Sequence, residues 1–146
     1  MNKLFSLYND TFGFTVYLYV GSDLSILRKA VIKEKFWDLA DFDASIDSFS
    51  TEYAGGTTSL KSSNGSMLYF IHISVWEGTE DDIESLSHEL GHVTHRALTH
   101  RGWTDFVHED VFHSYLYLHG SLFRKFLEQV LSEKSQKNLR KSDFFT

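Results

Sequence analysis

Three residues inside a five-residue window, His88, Glu89 and His92, have the types and the spacing that metal-assisted hydrolysis requires. In the pattern H-E-x-x-H the two histidines are four apart, which on a helix sets them one above the other so that both imidazoles reach a single ion. The intervening glutamate projects about 100° to one side, where it can take a proton from a water activated by that ion. Zinc is the expected ion, held by three protein ligands with a fourth place for water. The flanking Ser85, Leu86, Ser87, Leu90, Gly91, Val93 and Thr94 are uncharged, as a helix packed beside a metal would need. Gly91 costs such a helix about 1 kcal/mol relative to Ala, so another element is expected to pack closely against it there. The plain alternative is a surface helix on which two histidines happen to be four apart.

A third ligand is expected downstream, where VHEDVFHSYLYLHG offers His108, Glu109, His113 and His119. Glu109 and His113 are four apart and share a helix face, and a carboxylate commonly stands behind a ligating histidine. The run His113-Ser114-Tyr115-Leu116-Tyr117-Leu118-His119-Gly120-Ser121-Leu122 follows the H-E-x-x-H segment, and in these two motifs the chain resembles the small zincin-like metallopeptidases encoded by tailed bacteriophages. There the second helix reads roughly E-x-x-A-Y-L-x-G-x-L, matched here at Tyr117-Leu118, Gly120 and Leu122. The resemblance spans most of the chain. It implies a zincin-like fold, a Zn2+ cofactor held by His88, His92 and His113, Glu89 as the catalytic base, a peptide or protein substrate, and a location in the host cytoplasm. His113 stands where the family has a glutamate, so Glu109 is its rival. His108 and Tyr115 are candidates to stabilise an oxyanion. Two other readings remain open: a non-catalytic zinc-binding protein for phage assembly or host interaction on the same scaffold, and hydrolysis of a non-peptide amide.

The elements that must position these residues are readable from pattern. Residues 12–20 are aromatic and β-branched and end at Gly21, a first strand. Ser22 or Asp23 caps a helix that carries Leu24, Leu27, Val31 and Trp37 to about residue 38. In the next segment Asp41, Asp43, Ser45, Asp47 and Glu52 mimic the spacing of a calcium loop, but Ile46 stands where that loop needs Gly, and a turn with a short strand is expected instead. Residues 57–60 and 67–76 read as a hairpin around Asn64-Gly65. The second of these strands, were it an edge, would offer an extended substrate a place to pair. Thr79 with Asp82 forms a capping box for a helix with Ile83, Leu86, Leu90, Val93 and Ala97 on one face, ending before Gly102. A last helix runs from about Asp105 to Ser132 and carries Phe112, Leu116, Phe123 and Leu127.

The order of elements gives an α+β domain: a small mixed or antiparallel sheet packed on an N-terminal helix, the H-E-x-x-H helix and a long C-terminal helix. One domain over residues 1–146 is expected, with 132–146 a polar tail. The chain has no Cys, which removes disulfides and thiolate chemistry and leaves His and carboxylates as metal ligands. A net charge of -6 argues against a nucleic-acid partner. No leader-like stretch opens the chain and no apolar run approaches the ~20 residues of a membrane span, so a cytoplasmic protein without a membrane partner is expected.

Overall fold

The computed structural model describes residues 1–46, 55–61 and 67–143, without the side chains of Lys61 and of residues 134–143. Its order is β1 (Lys3–Asn9), β2 (Phe14–Val20), α1 (Leu24–Glu34), α2 (Leu39–Ser45), β3 (Gly55–Lys61), β4 (Met67–Ile73), α3 (Glu80–Thr99) and α4 (Glu109–Asp143). The four strands form one mixed sheet in the order β1-β2-β4-β3. β1 is antiparallel to β2, β2 is parallel to β4, and β3 is antiparallel to β4. The α+β class holds, and among the described residues no helix is long and apolar enough to cross a membrane.

Strand alternation sends side chains to both faces of this sheet, and both are covered. Phe14, Val16, Leu18 and Val20 of β2, with Tyr69, Ile71 and Ile73 of β4, join Leu86, Leu90, Val93 and Ala97 of α3 and Leu118, Leu122, Phe126 and Val130 of α4 in one core. Tyr19 and Phe70, pointing the other way, join Leu27, Val31, Phe36, Trp37 and Phe42 under α1 and α2. His72 belongs to this second face, buried with Nε2 2.8 Å from the Gly21 carbonyl. Burial holds its pKa below the ordinary histidine value, against the opposing pull of that hydrogen bond.

Several expectations are corrected. The N-terminal residues form a strand, β1, that the sequence reading did not assign; Lys3 and Asn9 at its ends stand on the same face as Phe5 and Leu7. α1 stops at Glu34 because Lys35 adopts a left-handed conformation, φ 53°, and closes the helix on the Val31 carbonyl. Asp38 then caps a second helix, α2, over residues expected to be a turn and strand; Asp41, Asp43 and Ser45 are therefore helical and form no cation loop. Asp47, Glu52 and the Asn64-Gly65 turn lie outside the described residues. The β3–β4 hairpin holds, but β4 is interior and β3 is the edge. α3 has the full capping box, with burial pushing the Asp82 carboxyl up and the Glu77 and Thr79 amides outweighing it to hold it low. α4 runs to Asp143, through most of the segment read as a tail, and its Phe112 and Leu116 are exposed.

Candidate metal centre and its cleft

Helix periodicity places the site. With the His88 side chain taken as zero, 100° per residue puts His92 about 40° to one side, with Arg96 at about 80° and Glu89 at about 100° in the same sense. Gly91 falls at about 60° and Ser87 at about 100° in the opposite sense. The contacts agree. Glu89 and Arg96 meet the edge strand β3, whereas Ser87 and Gly91 meet α4. α3 is thus flanked by β3 on one side and α4 on the other, and His88 and His92 lie on its exposed face between them.

The two imidazoles converge, with Nε2 atoms 3.2 Å apart. Two zinc–nitrogen bonds of ~2.0–2.1 Å spanning that gap would open to about 100°, close to tetrahedral. The same separation suits an N–H···N hydrogen bond between neutral rings. On the β3 side Glu89 is 9% exposed, and the Thr57 hydroxyl donates to its Oε2. Arg96 Nη1 donates to the Thr57 carbonyl at 3.1 Å and so ties β3 to α3 at this point. Gly55 leaves room here: a Cβ on it would stand 3.0 Å from the His72 carbonyl and 3.3 Å from Glu89 Cγ.

On the opposite side a cleft of about 640 Å³ is lined by Ser87, His88, Gly91, His92, His95, Phe106, Phe112, Tyr115 and His119. The expected close approach at Gly91 is made by Tyr115, whose hydroxyl lies 3.2 Å from where a Cβ would be. His119 turns Nε2 toward the Ser87 carbonyl at 2.9 Å, with its ring stacked in parallel between Tyr115 and Phe123. His95 stacks on Phe106.

Of the residues singled out from sequence, His88, Glu89 and His92 share α3 as expected, and Tyr115 lines the cleft with His88 and His92, whereas Glu89 faces β3 instead. His113 does not join them. It lies about 160° around α4 from Tyr115, because two residues separate them, and its side chain is 70% exposed beside Glu109, 3.6 Å away. Among the described residues no three His, Asp or Glu side chains stand around one point. His108 is at the start of α4, with Nδ1 accepting from the Asp110 amide at 3.3 Å. Sequence reasoning passed over Thr57 and Arg96; Thr57 meets Glu89 across 32 residues of chain and Arg96 across 39, with no local signal. It placed His119 on a helix without seeing that Phe112, Tyr115 and His119, spaced three and four apart, share one face. No family model, curated protein or solved structure matches the chain.

Proposed function

We propose that the protein is a zinc-dependent hydrolase of peptide bonds on a zincin-like scaffold. The observation that carries this is the convergence of His88 and His92 Nε2 on the face of α3 that borders the α4 cleft, with Glu89 one step around the helix against β3. The residue types fit zinc: two converging imidazoles, further imidazoles lining the same cleft, and no thiolate in the chain. His88 and His92 would hold the ion, and α4 would supply the third donor. For that place His119, already in the cleft, is better situated than the solvent-facing His113 that the resemblance implies.

Zinc, when bound, lowers the pKa of a water toward neutrality and polarises the carbonyl to be attacked. Glu89 takes the proton of the attacking water on its carboxylate and passes it to the leaving amine nitrogen. The Thr57 hydroxyl holds Glu89 Oε2 in place for this transfer, and Arg96 holds Thr57. The β3 edge beside them offers an extended peptide a strand to pair with.

Glu89→Gln separates catalysis from metal binding. Zinc content should stay at the wild-type level while cleavage of a mixed peptide library falls on the order of 10³-fold, read by mass spectrometry of the products; a fully active variant would remove Glu89 from the mechanism. One observation favours a second reading. Four histidines, His88, His92, His95 and His119, line the same cleft, enough to enclose an ion with no place for water. A Co2+-substituted protein whose visible spectrum ignores a peptide hydroxamate would support such a closed, non-catalytic centre.

A further inference from the structure

We propose that the Tyr115 hydroxyl is the hydrogen-bond donor that stabilises the charge developing on the scissile carbonyl oxygen; the inference rests on the hydrolase reading above. Tyr115 reaches α3 at Gly91, which lies next to His92 and one turn from His88, and only the missing side chain lets its oxygen approach to 3.2 Å of that Cβ position. Its ring is fixed by a parallel stack on His119 at 6.0 Å and an edge contact with Phe106 at 6.1 Å. Among the described residues its hydroxyl makes no hydrogen bond. A held ring with an uncommitted O–H beside Gly91, in the cleft that His88 and His92 also line, is a preorganised donor.

The position is complementary to that of Glu89. The base stands on the β3 side and Tyr115 on the α4 side, so a carbonyl lying over the histidine pair has one on each side. When the water oxygen bonds to the carbonyl carbon, the π electrons move to the carbonyl oxygen, and Tyr115 donates to it while keeping its own proton. Glu89 carries the water's proton to nitrogen as the C–N bond breaks, and the O–H bond of Tyr115 is unchanged at the end. The other donors are worse placed. His108 lies outside the cleft lining, and His119 is the third zinc donor in the reading above.

Tyr115→Phe tests this by removing one oxygen from a ring that packing holds. The variant and the wild type are compared, both zinc-loaded, for kcat and KM on peptide substrate and, by calorimetry, for a peptide phosphinate that mimics the tetrahedral state. The expected result is a kcat lower on the order of 10²-fold, with KM and zinc content unchanged and phosphinate affinity ten-fold weaker or more. Gly91→Ala, which crowds the hydroxyl rather than deleting it, should repeat the kcat loss and guards against misfolding of the first variant. Wild-type kcat and phosphinate affinity in Tyr115→Phe overturn the role of Tyr115 and leave the hydrolase reading standing. A zinc-loaded wild type that neither cleaves peptides nor binds the phosphinate overturns the hydrolase reading, and this inference with it.

Discussion

Two pairs of residues of types that can ligate a metal share the same helical spacing and differ in what stands beside them. His88 and His92 are four apart on α3 with nitrogens 3.2 Å apart, and Glu109 and His113 are four apart on α4 at 3.6 Å. Local geometry alone therefore does not distinguish them. His88 and His92 are themselves exposed, but they line a cleft against α4 and stand beside Glu89, which is 9% exposed. Glu109 and His113 are 85% and 70% exposed and line no such cleft among the described residues. A chelating spacing is cheap, because any helix provides it. What makes a site is a cleft that brings in the next polar groups.

The largest expected effect is on zinc itself. His88→Ala and His92→Ala should each weaken zinc binding on the order of 100-fold or more, since even groups behind a ligand cost 10- to 100-fold. Glu109→Ala and His113→Ala should change it less than about three-fold, as befits an exposed pair. Competition with a chelating dye measures both, and equal losses from the two pairs would erase the distinction drawn here. His119→Ala should fall with the first group, which would also place the third donor.

A smaller effect comes from the strand that holds Glu89. Thr57→Val removes a hydrogen bond to a carboxylate, and such bonds are worth ~1.5–3 kcal/mol, so kcat should drop about 10- to 100-fold with zinc content unchanged. Thr57→Ser restores the hydroxyl and should restore most of the rate. A Thr57→Val protein with unaltered kcat would mean that β3 does not position the base.

The smallest effect is on stability and comes from the other face of the sheet. His72 is buried with a lowered pKa, so the unfolded chain binds a proton more readily than the folded one. Its contribution is complete above the unfolded histidine value near ~6.5 and is lost as pH falls through the lower folded value. Wild-type protein should therefore lose stability as pH falls below about 6.5 more steeply than His72→Phe, as read by urea midpoints at falling pH. Parallel slopes would show His72 to be indifferent to protonation.

What the sequence revealed and what it hid follow from range. α3 was legible in full, including its Thr79–Asp82 cap and its apolar face of Leu86, Leu90, Val93 and Ala97, because caps and helical periodicity are written within four residues. The end of α1 was not, since it turns on the left-handed Lys35, a residue type that does not advertise that conformation. β1 gains its order by pairing with β2 rather than from its own composition. In the site, His88, Glu89 and His92 needed only spacing. Thr57 needed the sheet to set β3 rather than β4 at the edge, and His119 needed the rotation of α4 against α3. That same rotation turns His113 away, so the proposed third donor, like Thr57, is a part of the site that local pattern could not assign.

Long-range proton–nitrogen correlation spectra of the histidine rings, recorded as zinc is added to metal-free protein, test the central claim most directly. The account predicts saturation at one zinc per chain, with the ring nitrogens of His88 and His92 shifting and those of His113 unmoved. No shift at His88 and His92, or zinc drawn first to His113, would contradict it.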